Sequence, residues 1–238
     1  GKLLIQRLVT SNPSPAYVGR VSAAFANNGA GVRGDMRAVV KAILLDPEAR
    51  TYAPTEGKTF GKKREPYLTL FNLAKTFDAA PSSGNFENAT YLYDELRQEA
   101  FQSPSVFNFY LPGFRPSGTM TRADVKGPEF QIMTAVTAHG ALNLSYKMIY
   151  EDLSRWGGPP EMLIRIKPVE LTGLAGDPDA LVARAALRLL DRPLRPRAFQ
   201  AIREAVAKLP NATAENARQR VNMAIYLIVA SPDFQIQK

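Results

Sequence analysis

The sequence predicts an all-α protein. Three observations carry that expectation: apolar residues recur at helical spacing along most of the chain, prolines stand where such segments open (Pro15, Pro66, Pro196), and the one run that hints at a period of two contains Pro168. A long aromatic- and proline-rich segment in the middle fits neither period.

Taken in order, "KLLIQRLV" puts a helix at the very start, so the chain reads as a fragment or processed product that begins at or inside a helix. In "SPAYVGRVSAAFANNG", Ser14 is the N-cap, Pro15 the first helical residue and Gly29 lies past the end, with Val18, Val21 and Phe25 as the apolar face. Asp35 then caps a helix whose Met36, Val39, Val40, Ile43 and Leu44 follow the i, i+3, i+4, i+7, i+8 pattern. Pro66 opens a helix with Leu70, Phe71, Ala74 and Phe77 on one face, and 79–89 is a loop by composition. Further helices are predicted at about 90–101, 128–138, 141–155, 178–190, 196–208 and 213–230, with a break before Gly140 and extended or irregular chain over 161–171. The last of these holds "VNMAIYLIVA", the longest apolar run, which suits a buried helix and falls short of a membrane span.

The 238 residues, 45% hydrophobic and 22% charged, suffice for one helical domain with a sizeable core. The absence of cysteine excludes disulfides, iron–sulfur clusters and thiolate metal sites. The formal charge of +8 is uneven: 11 Lys/Arg against 5 Asp/Glu in 1–66, 6 against 9 in 67–154, and 13 against 8 in 155–238. Such a balance permits polyanion binding, and solvated helix faces account for it equally well; no nucleic-acid-binding motif accompanies it.

The ends resemble each other. Aligning Asp46-Pro47-Glu48 with Ser231-Pro232-Asp233 places positions 36, 39, 40, 43 and 44 on Val221, Ala224, Ile225, Ile228 and Val229. A helix, a proline loop and two further helices thus occur at 3–50 and at 181–236, around an insert at 51–180. This is either a duplicated three-helix unit or the pattern that any amphipathic helices share.

Chemical motifs are sparse. "GAGVRG" (29–34) has the glycine spacing of a dinucleotide fingerprint, but a helix and not a strand precedes it, so it reads as a linker. The tripeptide Arg33-Gly34-Asp35 inside it is already used by the Asp35 cap. His139 is the single histidine, too few for a zinc site without cysteines, and no G-x-S-x-G elbow exists. No metal or cofactor is therefore expected. Glu95 with Glu99, and Glu151 with Asp152, read as solvated helix surface. Arg64-Glu65, just before Pro66, reads as a charge clamp on a loop or as part of a binding site.

The run "SPSVFNFYLPGFRPSG" (103–118) is read as an ordered but irregular segment. Pro104, Pro112 and Pro116 restrict the unfolded chain, and the aromatic rings anchor the fold; Phe107 and Phe109 are expected to be buried, with Asn108 turned away or bonded to backbone. With "GKKREP" before it and "GPEFQI" after it, and together with "IQRLVTSNPSPAYV", "RAVVKAILLDPEAR" and "YLIVASPDFQIQ", this run resembles the C-terminal half of the bacterial family called domain of unknown function 1800. The resemblance implies an exported protein, periplasmic or secreted. Its implied partners are a co-encoded, sulfatase-related exported protein or an upstream half of its own chain. Asn108 and Arg115, polar residues held between rings, are what a binding site would use; Arg64, Glu65, Asn108, Tyr110, Arg115 and Glu129 are the candidate binding residues, and the resemblance implies that Arg64, Glu65 and Glu129 lie near the aromatic loop. The leading functional reading is binding to a partner protein or extracellular polymer. The alternatives are part of a hydrolytic or redox enzyme whose catalytic groups lie mainly upstream, and a basic nucleic-acid-binding module.

Overall fold

The computed structural model describes residues 1–50, 59–86, 92–153 and 159–237. It is all-α, with thirteen α-helices among the described residues. In chain order the first seven are α1 (Lys2–Leu8), α2 (Pro15–Ala26), α3 (Met36–Leu44), α4 (Pro47–Arg50), α5 (Pro66–Thr76), α6 (Leu92–Leu96) and α7 (Thr119–Arg122). The others are α8 (Ala135–Tyr150), α9 (Val169–Thr172), α10 (Pro178–Leu190), α11 (Pro196–Ala207), α12 (Ala214–Ala230) and α13 (Pro232–Gln235). A two-stranded antiparallel ribbon joins β1 (Lys62–Lys63) to β2 (Ile236–Gln237), Lys62 opposite Gln237. The chain divides into two compact units. Unit 1 comprises Gly1–Lys63, Pro104–Ile132 and Ile236–Lys238; unit 2 comprises Arg64–Ser103 and Met133–Gln235.

In unit 1, α3 packs against α1, α2 and α4. Its core is Ile5, Tyr17, Val21, Val39 and Ile43. The caps read from sequence are in place. Ser14 Oγ accepts from the Tyr17 N–H at 3.0 Å, and Asp35 accepts from the N–H groups of Arg37 and Ala38. The Tyr17 hydroxyl donates to the Ile43 carbonyl at 2.5 Å, tying α2 to α3. The glycines of the 29–34 linker are required: Gly29, Gly31 and Gly34 have φ of 95°, 82° and 83°, the left-handed region that other residues adopt at a cost. Four residues expected on apolar faces lie outside the core. Phe25 is exposed, its ring under the Arg33 guanidinium, and α3 buries only Val39 and Ile43 while Met36, Val40 and Leu44 face outward. A nine-residue helix that meets its neighbours along one narrow stripe leaves the flanks of a wide apolar face uncovered.

Unit 2 is built around α12, which packs against α8, α9, α10, α11 and α13. Val221, Ala224, Ile225, Ile228 and Val229 on α12 meet Leu181, Val182, Ala185 and Leu189 of α10 in one core that also takes in Leu70, Leu73, Leu96 and Leu144. Arg220 is buried there with no carboxylate partner among the described residues; its guanidinium donates to the carbonyls of Ala175, Leu209 and Ala207. The expected helices 128–138 and 141–155 are divided differently. A 3-10 turn covers Pro128–Ile132, and α8 starts where Thr134 and Thr137 form a capping box. It then runs unbroken through His139 and Gly140. Gly140 is there for closeness, because a Cβ would stand 2.6 Å from the Glu95 carbonyl oxygen of α6. The helix expected at 90–101 is described from Leu92 and ends where Arg97 turns left-handed, at φ 53°. Residues 87–91, at the junction of the loop expected at 79–89 and the helix expected at 90–101, and residues 154–155, the end of the helix expected at 141–155, lie outside the described residues. Of the span 161–171 expected to be extended or irregular, only the middle is: a 3-10 turn covers Pro160–Met162 and α9 begins right after Pro168, while between them Ile164 and Ile166 are buried, with backbone bonds to Leu153 and Met148.

The two end segments share local detail within their own units. In unit 1 the Ser14 N–H donates to Glu48 of α4 at 3.0 Å, and in unit 2 the Arg195 N–H donates to Asp233 of α13 at 3.3 Å. Each donor immediately precedes the proline that opens a helix, and the two carboxylates are the pair aligned in the sequence.

Candidate functional site

A cleft of about 140 Å3 opens in unit 1 between α1 and the aromatic segment. Leu3, Leu4, Gln6 and Arg7 line it from α1; Val106, Phe107, Tyr110 and Pro112 line it from the segment, and Pro128 with Glu129 form its base. The helical i, i+4 spacing that puts Leu3 and Arg7 on one face gives the cleft an apolar and a cationic wall from a single helix.

The segment itself is irregular, as expected, and is tied down by polar contacts. Gln6 Nε2 donates to the Ser11 carbonyl at 2.9 Å and to the Pro112 carbonyl at 3.2 Å. The Leu111 N–H donates to Gln131 Oε1 at 2.7 Å. Asn108 sits left-handed, at φ 71°, a conformation asparagine tolerates better than most residues. Its N–H donates to the Ser105 carbonyl, and its own carbonyl accepts from Ser105 Oγ. The ring that anchors the segment is not one of the two expected. Phe107 is 41% exposed and Phe109 half-buried, whereas Tyr110 is 3% exposed. The tight turn at 105–108 upsets the strict alternation on which the expectation rested, and the Arg7 guanidinium stacks over the Tyr110 ring at 4.4 Å from its centre.

Arg7 is the pivotal side chain. Its Nη2 donates to the Phe107 carbonyl, while Nη1 is shut off from solvent and has no acceptor among the described residues. Behind it lies a buried ion pair: Lys62 Nζ stands 3.5 Å from Glu129 Oε1 and donates to the Arg7 carbonyl at 2.8 Å. Ser11 Oγ bonds the other Glu129 oxygen at 3.3 Å. Glu129, 1% exposed, is thus neutralised within the unit, and the Arg7 charge is left over. Three residues before Glu129, Lys126 is shifted below the ordinary lysine value, first by its hydrogen bond to the Lys2 amine and then by burial. Cations are crowded here.

Of the six candidates read from sequence, Tyr110 and Glu129 line this cleft and Asn108 shapes its rim. Arg115 belongs to the same unit but spends its charge on Asp124 at 2.6 Å at the surface. Arg64 and Glu65 are anchored inside unit 2. Arg64 donates to the Phe234 carbonyl at 3.0 Å and lies over the Phe234 ring, and burial lowers its pKa to about 10. Glu65 accepts from Gln98 Nε2 at 2.7 Å, whose Oε1 accepts from the Tyr67 N–H. That is a structural clamp at the start of α5. Sequence reasoning missed Arg7, which in "LLIQRLV" looks like any solvated helix cation, and Lys62, hidden in "GKK". His139 is exposed on α8, its Nδ1 2.7 Å from the Ala135 carbonyl.

The units differ in charge. By sequence, unit 1 carries fourteen Lys/Arg against six Asp/Glu, and unit 2 carries sixteen of each, so the net charge of +8 resides in unit 1. No helix among the described residues is long and apolar enough to cross a membrane. Fold and site together define an all-α protein with a basic unit that bears a small arginine-walled cleft. Over residues 1–236 the chain matches the family described as protein of unknown function DUF1800, and it belongs to that family. No curated protein and no solved structure matches it.

Proposed function

We propose that this protein works by binding, and that unit 1 is the part that engages an acidic partner protein or extracellular polymer. The observation that carries the reading is the confinement of the net charge to unit 1. Opposite charge steers encounter and favours capture, increasingly so at low ionic strength. Arg33, Arg37 and Lys41 are exposed around α3, and α3 itself contains no acidic residue. Action outside the cytoplasm, beside a co-encoded sulfatase-related protein, is what the family resemblance implies and forms part of the same proposal.

The test separates a site from mere total charge. Binding to immobilised polyglutamate is compared for Arg37→Glu/Lys41→Glu and for Arg197→Glu/Lys208→Glu; the second pair is exposed on unit 2, and both pairs change the net charge equally. The first pair should weaken capture at least about tenfold, while the second changes it little. Equal losses would reduce the effect to overall basicity and remove unit 1 as the binding face.

A further inference from the structure

The Arg7 guanidinium is half-paired. One nitrogen holds the Phe107 carbonyl, and the other, Nη1, is enclosed without an acceptor among the described residues. A buried cationic donor left without a partner is costly, so the arrangement is improved by anything that supplies a second acceptor. Arginine presents its N–H groups as a planar fork that a carboxylate matches with both oxygens at once. The Tyr110 ring fixes the plane of that fork.

We propose that the cleft of unit 1 is a receptor for a carboxylate carried on a short apolar stem. The incoming carboxylate displaces the Phe107 carbonyl from Arg7 and satisfies both guanidinium nitrogens, while the stem packs between Leu3 and Pro112. The turn at 105–108 swings aside to admit it. That turn projects into solvent, with Val106 95% exposed, and its Phe107 latch is a single hydrogen bond. A volume of about 140 Å3 is on the scale of cavities that accept a benzene-sized group, and so admits one side chain or chain end. Glu129 does not repel the guest, because Lys62 and Ser11 already engage its two oxygens. The inference rests on the reading of unit 1 as an anion binder and names the group that its cleft selects.

The experiment uses the full chain and observes backbone amide resonances during titration. Hexanoate should bind saturably and shift the Phe107, Asn108 and Tyr110 signals, and hexanol should not. Arg7→Gln should weaken hexanoate at least tenfold. Leu3→Trp, which adds bulk at an exposed wall position without touching the core, should do the same if the first variant folds poorly. Acetyl-leucine, whose carboxylate rides on an apolar side chain, should bind tighter than glucuronate; tighter binding of the acidic sugar would overturn the apolar stem. Unchanged hexanoate affinity in both variants, the lack of saturable binding, or tighter binding of inorganic phosphate at the same residues would each overturn the proposal. Loss of carboxylate selectivity with polyglutamate capture intact would overturn the cleft alone and leave unit 1 as the binding face.

Discussion

At the scale of single residues, the aromatic segment shows what a linear reading captures. That it is ordered and irregular follows from its prolines and rings. Which ring is buried does not, because a left-handed residue at Asn108 changes which side chain turns inward, and nothing local announces that geometry. The consequence is measurable in urea melts. Tyr110→Ala should destabilise by about 3–5 kcal/mol, and Phe107→Ala by no more than about 1.5 kcal/mol, because its ring is already 41% in water. A second expectation concerns alkaline pH. Burial pushes the Tyr17 and Tyr150 hydroxyls up to about 12, with Asp46 adding to the effect at Tyr17 and Tyr146 at Tyr150. Between their ordinary value of 10.0 and about 12 the unfolded chain releases protons that the folded chain keeps, so stability should fall as pH rises through that window. Tyrosinate absorbance in a pH titration should show these two groups ionising late; a single transition near the ordinary value would contradict it.

At the scale of elements, caps and prolines were the readable part: Ser14, Asp35 and Pro66 start helices where their chemistry says they should. Gly140 does not break α8 as its sequence suggests, since a glycine required by the approach of another helix looks, in sequence, like one that ends its own. Gly140→Ala should therefore cost about 1–3 kcal/mol despite alanine's better helix propensity, and thermal melts would check this. A gain in stability would mean that α6 yields easily. The paired contacts of Glu48 and Asp233 offer a further check. If the end segments descend from one duplicated unit, Glu48→Gln and Asp233→Asn should both loosen the proline-opened helix that each carboxylate holds, seen as faster amide exchange in α2 and α11 respectively. An effect at one site only would leave the likeness as shared amphipathicity.

At the scale of the molecule, charge was countable in the sequence but could not be placed. Along the sequence, two basic ends flank an acidic centre. Folding instead joins the acidic centre mainly to the C-terminal segment and cancels it there, which leaves the N-terminal part basic. No window average finds this, because unit 1 is assembled from three separate stretches. The cleft was partly legible for the same reason. Tyr110 and Glu129 were named through motifs, whereas Arg7 and Lys62 enter the site through contacts more than fifty residues apart in sequence. Salt should expose the asymmetry. Polyglutamate affinity should fall steeply as ionic strength rises, with a shallower slope in Arg37→Glu/Lys41→Glu, measured by fluorescence anisotropy.

The ribbon between Lys62–Lys63 and Ile236–Gln237 sets a timetable for synthesis. Unit 1 joins Gly1–Lys63 to residues more than 170 positions later, which leave the ribosome only after the unit 2 segments between them. Contacts this distant must wait for the chain between them, and topologies that depend on them fold slowly. During that interval the exposed apolar stripe of α3 and the unfilled core of α1 and α2 are open to wrong partners, and domains emerging in order ordinarily avoid that hazard by closing early. The nascent chain therefore has reason to meet chaperones, and single-residue changes in β2 would show first as poor yield, before any loss of binding could be measured.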